Sequence, residues 1–285
     1  MACARYTEPT MTVMIDGKAI AQAIKQELKQ TVSEFQGEMI FHIVYVGSDP
    51  VIDNYLRYKE SFAKDIGVDV KLHRFSSDIS QEELIEKVHA VAAQNQAMII
   101  QLPLPEHIEQ QVVLDCVPAE RDVDVLSTKG REHFAAGDLN FFPPVTGSIA
   151  EICKMHRINL PDKNILVVGD GKLVGTPTIT WFDNKKINYT MVNKDTDAVV
   201  QRELLKEADM IISGVGIPNL ITPKDVKDDV VIIDAGTSEA GKKIHGDVHP
   251  DVADKSSLFT PVPGGIGPLT IAILYRNVVH SYLHD

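Results

Sequence analysis

The chain has 285 residues, 44% of them hydrophobic and 24% charged, a mixture that builds packed cores and excludes disordered, fibrous and low-complexity classes. With 28 Lys and Arg against 40 Asp and Glu, the net charge is −12, which repels phosphate backbones, and no basic face is segregated to attract nucleic acid. At about 100–200 residues per domain, the length implies two domains.

Cys3, Cys116 and Cys153 are odd in number and far apart, without the C-x-x-C spacing of zinc or redox sites, so a reduced compartment is expected. No apolar run approaches the roughly 18 residues of a membrane span, and residues 1–10 have neither an apolar h-region nor the Arg-rich character of a transit peptide. The expectation is a soluble cytoplasmic protein with no membrane or nucleic-acid partner. Met11 reads as a natural start, which would make the preceding residues an extension outside the fold.

From Asp16 onward, Ile20, Ile24, Leu28 and Val32 recur every four residues, the stripe of an amphipathic helix with Asp16 at its N-cap. The apolar run at residues 39–46 predicts a buried strand, and a second helix is expected over 51–66, stopped by Gly67. Val68, Val70 and Leu72 then alternate with polar residues as in a strand. Ser80 and Glu83 form a capping-box signature for a third helix carrying Leu84, Val88 and Val91. Residues 97–102 predict another buried strand, which ends in Gln101-Leu102-Pro103-Leu104-Pro105, where the prolines force an extended loop.

The second half repeats the alternation. An apolar strand at 165–168 runs into Gly169-Asp170-Gly171-Lys172-Leu173-Val174-Gly175. Further strands are expected at 188–192, 210–212 and 230–233, with a helix between Asp197 and Ala208. Strands separated by helix-length segments imply an α/β fold with a parallel sheet covered on both faces. A last helix at about 269–283 follows the loop 261–268 and is expected to pack back on the first domain.

Several constellations could carry chemistry. Gly169, Gly171 and Gly175 after a buried strand form a variant of the dinucleotide-binding turn, in which glycine permits the tight turn and lets backbone approach a pyrophosphate at a helix N-terminus. The alternative is a phosphate-free turn in an ordinary doubly wound domain. Asp170 would oppose a 2′-phosphate, whereas Asn193-Lys194 after the next strand lacks the usual acid for a free ribose and offers a cation; equally, Asp170 could cap a helix and Lys194 could be a solvated loop charge.

Tyr55 and Lys59 lie four apart and share one face of the predicted second helix, a pair that could orient and deprotonate a substrate if burial lowered the lysine pKa; such pairs also occur on half-solvated faces. Gln101 interrupts an apolar run at a strand's C-terminal edge, where open α/β sheets place ligand contacts, or else caps the loop. Asp122 and Asp124 fall on one side of their segment if it is extended, and Asp124 could accept two parallel hydrogen bonds from a ring, or could be a turn acid. In Pro261-Val262-Pro263-Gly264-Gly265-Ile266-Gly267-Pro268, prolines fix φ and glycines leave amides accessible, so the loop can be shaped around a ligand or can simply connect domains. His245 with His249, and His280 with His284, lack the glutamate of H-E-x-x-H, and no G-x-S-x-G elbow is present, so neither a metal site nor a serine hydrolase is expected.

Together these pieces resemble the bifunctional methylenetetrahydrofolate dehydrogenase/methenyltetrahydrofolate cyclohydrolase (FolD) family, from about Ile15 to Leu283. The resemblance rests on Val46-Gly47 with Asp49-Pro50, the Y-x-x-x-K of Tyr55 and Lys59, Q-L-P-L-P from Gln101, D-V-D from Asp122, V-G-x-P from Val174, G-D-V from Gly246 and P-V-P-G-G-I-G-P from Pro261. It implies a folate-binding catalytic domain over 1–145, with the helix 269–285 packed back on it. A Rossmann-type dinucleotide-binding domain would cover 146–268, with the active-site cleft between the two.

The resemblance makes Lys59 the general acid/base, Tyr55 its positioning partner and stacking surface, Gln101 the group that holds Lys59, and Asp124 the pterin anchor. Pro263, Gly264 and Gly265 would border the folate. Cofactor contacts fall to Gly169, Asp170, Gly171, Lys172, Val174, Gly175, Asn193, Lys194, Gly214 and Val215. The implied partners are a one-carbon tetrahydrofolate and a second copy of the chain in a homodimer.

This sequence departs from the family pattern at several positions. Ile52 stands in place of a serine, Val125 in place of the glycine after D-V-D, and Pro143-Pro144-Val145-Thr146-Gly147-Ser148 in place of a P-C-T-P-x-G segment. Asp170-Gly171 replaces the family's Arg-Ser, and Val192-Asn193-Lys194 replaces Cys-His-Ser. NADP is the family's cofactor, and the loss of that arginine and serine leaves NAD as the alternative. The rival readings are a cyclohydrolase alone, a NAD-preferring variant, and a folate-binding paralogue without turnover.

Overall fold

The computed structural model describes residues 11–139, 141–240 and 243–283. Cys3, the N-terminal extension and His284 lie outside the described residues. The chain forms two units, one of Ala19–Ser148 with Leu269–Asp285 and one of Met1–Lys18 with Ile149–Pro268.

The chain opens with β1 (Val13–Met14) and α1 (Gly17–Glu34). Ile20, Ile24 and Leu28 of the predicted stripe are buried and Val32 is half-buried. There follow β2 (Ile40–Val46), α2 (Pro50–Ile66), β3 (Asp69–Phe75), α3 (Gln81–Ala92) and β4 (Ala97–Ile100). The strands form a parallel sheet in the order β3-β2-β4. Phe41, Ile43, Val44 and Tyr45 are all buried, because helices cover both faces of a parallel sheet and the strand can therefore be apolar at successive positions.

Local signals fix the helix ends. The Asp49 carboxylate accepts from the Val51 and Ile52 amides at 2.7 and 3.2 Å, Pro50 starts α2, and Gly67 closes it at φ 88°. Ser80 Oγ accepts from the Glu83 amide at 3.2 Å and starts α3, whose Leu84, Val88 and Val91 pack against Val44, Val46, Met98 and Ile100. Each such side chain stabilises the unit by about 1.5–3 kcal/mol relative to exposure. β4 ends at Ile100, two residues short of the predicted strand, although the Gln101 amide still donates to Val44 O at 2.8 Å.

Three helices that the sequence pattern left unassigned follow: α4 (Gln110–Leu114), α5 (Thr128–Ala136) and α6 (Pro144–Met155). Next come β5 (Ile165–Val168), α7 (Gly175–Lys185), β6 (Thr190–Val192), α8 (Ala198–Glu207), β7 (Met210–Ser213) and β8 (Val230–Asp234). A hairpin of β9 (Ser238–Ala240) and β10 (Lys243–His245), then β11 (Ser256–Phe259) and α9 (Ile266–Leu283), complete the chain. The second sheet runs β1-β11-β8-β7-β5-β6 with every neighbouring pair parallel. Because β5 pairs with β6 on one side and β7 on the other, the winding reverses between β5 and β7, and the C-terminal ends of those strands open the crevice where such sheets bind ligands.

The C-terminal helix is fixed by polar bonds within the first-described unit. Asn277 Nδ2 donates to Val123 O at 2.9 Å and Phe142 O at 2.6 Å, Arg121 Nη1 donates to Ser281 O at 2.7 Å, and Tyr282 Oη donates to Ile40 O at 2.6 Å. Among the described residues, no helix is long and apolar enough to cross a membrane.

Candidate active site and nucleotide-binding turn

Three of the expected catalytic and binding residues come together in one unit. Lys59 on α2 donates from Nζ to Gln101 Oε1 at 2.9 Å, and Gln101 Nε2 donates to Leu102 O at 2.8 Å. The second bond orients the amide, so its oxygen faces the lysine. Burial holds the Lys59 pKa below the ordinary lysine range, while the negative charge of Asp124 works the other way. Asp124 responds in mirror image, pushed up by burial and drawn down by Lys59. Asp124 carries no hydrogen bond to another described residue, which leaves its lone pairs available to a ligand.

Tyr55 lies one turn before Lys59 on α2 and is 41% exposed. An additional residue, invisible to motif reading, supports this helix from behind: Tyr275 on α9 donates to Lys59 O at 2.7 Å and stacks on Phe62 with ring centroids 5.0 Å apart. Its only sequence signal is its place among buried apolar residues of the last helix.

Asp122 and Asp124 do not share one side of an extended segment. The backbone turns, with the Val125 amide donating to Asp122 O at 3.0 Å and Val125 at φ 57°. Asp122 therefore points elsewhere, accepting from the Ser127 amide at 2.7 Å, and burial pushes its carboxyl up to about 6. The two acids have separate tasks, one inside the turn and one towards Lys59.

The other unit carries the glycine turn between β5 and α7. Gly169 sits at φ 98°, and a Cβ on Gly175 would overlap the Gly169 carbonyl, so the turn closes this tightly only with glycine at both positions. A Cβ on Gly171 would meet nothing nearer than Gly214 O at 3.8 Å, which leaves its exposed side open to a ligand. The turn thus fits the pyrophosphate of a dinucleotide at the N-terminus of α7. Lys172 is exposed beside it, and Val174 is buried as the residue that starts α7.

Asp170 does not cap α7. Its carboxylate accepts from Asn193 Nδ2 at 2.9 Å, linking the turn to the residue just after β6, while Lys194 is exposed. At this end the turn presents a carboxylate and an amide, with Lys172 and Lys194 as the nearby cations in sequence.

After β7, residues 214–217 pack on the glycine turn, since a Cβ on Gly214 would overlap Val174 and a Cβ on Gly169 would lie 3.0 Å from Val215 Cγ2. The amides of Val215, Gly216 and Ile217 point inward to the Asp247 carboxylate. The proline-glycine loop is built on the same unit: the Gly265 amide donates to Pro261 O at 2.7 Å and the Gly17 amide to Gly264 O at 2.9 Å. Gly17, absent from the sequence-derived candidates, is where that loop lies so close that a Cβ would overlap Gly265 O. His249 accepts from the Asp251 amide at 3.2 Å and starts a short 3₁₀ turn, and the described residues contain no cluster of three or more His, Cys, Asp or Glu suited to a metal.

Comparison with known proteins matches both parts of the chain. Residues 15–124 fit the model of the tetrahydrofolate dehydrogenase/cyclohydrolase catalytic domain, and residues 143–285 fit that of the tetrahydrofolate dehydrogenase/cyclohydrolase NAD(P)-binding domain. The chain is 33% identical to the bifunctional protein FolD of Exiguobacterium sibiricum, over 95% of this chain and 99% of that protein. It is 35% identical to that of Desulforamulus reducens, over 94% and 96%. Among solved structures, the bifunctional FolD methylenetetrahydrofolate dehydrogenase/cyclohydrolase from Campylobacter jejuni superposes with a TM-score of 0.90 at 29% identity, covering 95% of this chain and 98% of that one. The Trypanosoma brucei N5,N10-methylenetetrahydrofolate dehydrogenase-cyclohydrolase, complexed with NADP cofactor and inhibitor, also gives 0.90, at 26% identity and coverage of 95% and 97%. With both domain models matched in order, and FolD proteins aligned along nearly their whole length, the chain belongs to the tetrahydrofolate dehydrogenase/cyclohydrolase family.

Proposed function

We propose that this protein oxidises 5,10-methylenetetrahydrofolate to the 5,10-methenyl cation with a nicotinamide cofactor and then hydrolyses the cation to 10-formyltetrahydrofolate. The observation that carries this reading is the Lys59 amine, lowered in pKa, held on Gln101 Oε1 and facing the charge of Asp124. The folate chemistry is assigned to the unit of 19–148 with the last helix, and cofactor binding to the unit of 149–268, whose sheet takes in β1 from the segment expected in the first domain.

Oxidation removes a hydride from the carbon bridging N5 and N10. Bound nicotinamide dinucleotide supplies the hydride acceptor. Lys59 next to a newly formed cation must be neutral for part of the time, and its burial favours the neutral amine. Water then adds to the methenyl carbon while Lys59 takes a proton, and the amine returns a proton to N5 as the carbon–N5 bond breaks. Of the two water protons, one ends on N5 and the other in solvent. Gln101 fixes the direction of the amine, Tyr55 offers an exposed ring for stacking, and Asp124 accepts hydrogen bonds from the pterin. Pro263, Gly264 and Gly265 border the folate.

The NAD(P)-binding domain model and the NADP-bound relative support NADP as cofactor. Gly169, Gly171 and Gly175 form the turn for its pyrophosphate, with Lys172, Val174, Asn193, Lys194, Gly214 and Val215 around it. A NAD-preferring variant is the second reading, favoured by the Asp170 carboxylate bonded to Asn193, because a carboxylate there repels a 2′-phosphate. The protein is further assigned to the cytoplasm and to a homodimer, which light scattering of the purified protein tests.

The deciding experiment follows the absorbance of purified protein with 5,10-methylenetetrahydrofolate and NAD or NADP, alongside decay of authentic 5,10-methenyltetrahydrofolate. Reduction of either cofactor together with accelerated methenyl decay is expected. Decay alone would leave a cyclohydrolase, and absence of both would leave a binding protein.

A further inference from the structure

The G-D-V segment at Gly246 is used by none of the steps above, yet its aspartate is fully buried. Asp247 accepts four hydrogen bonds: from Ser213 Oγ at 2.7 Å and from the amides of Val215, Gly216 and Ile217 at 2.7, 2.8 and 2.9 Å. A carboxylate without water is strongly disfavoured unless its lone pairs are occupied, and four donors occupy them. Ser213 is buried with it, but the three residues that donate through their amides lie on the surface, with Val215 and Ile217 39% and 49% exposed. A loop that merely connected strands could satisfy its amides with water; this one is drawn inward onto a buried charge.

A second aspartate holds the first in place. Asp234, at the end of β8, accepts from the amides of Gly236 at 3.0 Å, Asp247 at 3.2 Å and Val248 at 2.9 Å. A Cβ on Gly236 would overlap the Asp247 carboxylate and a Cβ on Gly246 would overlap that of Asp234, so two glycines make room for two acids. The chain of support therefore runs from Asp234 to the 246–248 segment, through Asp247 to the 214–217 loop, and from that loop to the glycine turn against which it packs.

We propose that Asp247 is a positioning residue for the nucleotide site: it holds the loop after β7 at the switch point between β5 and β7, so that Val215 and Ile217 meet the bound dinucleotide in a fixed place. This rests on the reading that the glycine turn binds a nicotinamide dinucleotide.

The test compares wild-type protein with Asp247→Asn, which keeps the shape but presents an NH₂ to amides that need an acceptor. NADPH and NADH binding is read by fluorescence and amide hydrogen exchange at Val215, Gly216 and Ile217 by mass spectrometry. Exchange at the three amides is expected to accelerate, and affinity for the bound nucleotide to fall about tenfold, the scale of a lost hydrogen bond to a charged group. The KM for the nucleotide should rise with it, while that for methylenetetrahydrofolate stays put. Faster exchange with unchanged nucleotide affinity would overturn the proposal alone, as would unchanged exchange. If the wild type bound neither nucleotide, the nucleotide-site reading would fall and take the proposal with it. Should Asp247→Asn not fold, Ser213→Ala, which deletes one donor and spares the amides, carries the same comparison, with about threefold weaker nucleotide binding expected and no change overturning the proposal.

Discussion

Lys59 and Asp124 titrate against each other: burial drives the amine towards neutrality and the carboxyl towards protonation, and the attraction between their charges opposes both shifts. An amine lowered in this way gives up its proton more readily than a free lysine and can take one back from a reaction intermediate.

Replacing Lys59 with Ala should lower the rate of methenyl hydrolysis by about 10²–10⁴-fold, the usual contribution of a positioned acid/base. In the wild type the rate should rise with pH as the amine deprotonates and level off below the ordinary lysine range. Because the Asp124 charge raises the lysine pKa, Asp124→Asn should move that rise to lower pH, as well as weakening folate binding. A pH profile of kcat unchanged in position would contradict the coupling.

Asp170→Arg replaces a carboxylate with a bidentate cation and breaks the bond to Asn193. The ratio of NADP to NAD affinity should increase, and competition binding measures it directly. An unchanged or lower ratio would remove Asp170 from the 2′ end of the cofactor site.

Asp122 provides a stability prediction with a definite sign. Its carboxyl is pushed from the ordinary aspartate range up to about 6, so the folded state holds the proton more tightly than the unfolded chain does. Ionised Asp122 therefore costs about 3 kcal/mol at neutral pH, and this cost is relieved as pH falls from above 6 towards 4. Urea denaturation of Asp122→Asn at several pH values should show this component of the pH dependence missing.

Tyr275→Phe keeps the ring stack on Phe62 and deletes the bond to Lys59 O. A loss of about 1 kcal/mol in denaturant unfolding is expected, with a lower kcat for hydrolysis because the turn of α2 that carries the amine loses its brace.

Gly17→Ala should be among the most damaging small substitutions, because the added methyl overlaps the backbone oxygen of Gly265, which cannot swing aside like a side chain. A destabilisation of about 3 kcal/mol is expected, at the upper end for overpacking, and is read as a lower melting temperature.

Strong one-dimensional patterns survived the passage from sequence to structure. The continuous apolar runs became β2, β4, β5 and β8 because a strand covered on both faces needs no alternation, and Ser80, read from its capping signature, caps α3 through the Glu83 amide. Signals carried by distant partners were not legible. β1 is two residues long and exists through pairing with β11, and the turn at Val125, a β-branched residue at positive φ, separated two acids that simple alternation would have put side by side. In the site, Gln101 could be singled out as a polar residue breaking an apolar run. Tyr275 and Asp247 could not be given roles, since each acts through contacts with segments far along the chain.

The pairing of Val13 with Leu258 joins segments far apart in the sequence. During synthesis β1 must therefore wait for its partner until the chain has been made as far as β11. Until β1 docks, β11 is an open sheet margin with free amides and carbonyls, the kind of template on which chains aggregate. The same arrangement explains what dissection would meet: a fragment of residues 149–268 would lack its border strand, whereas a circular permutant that places residues 11–18 after a linker at the far end would restore it.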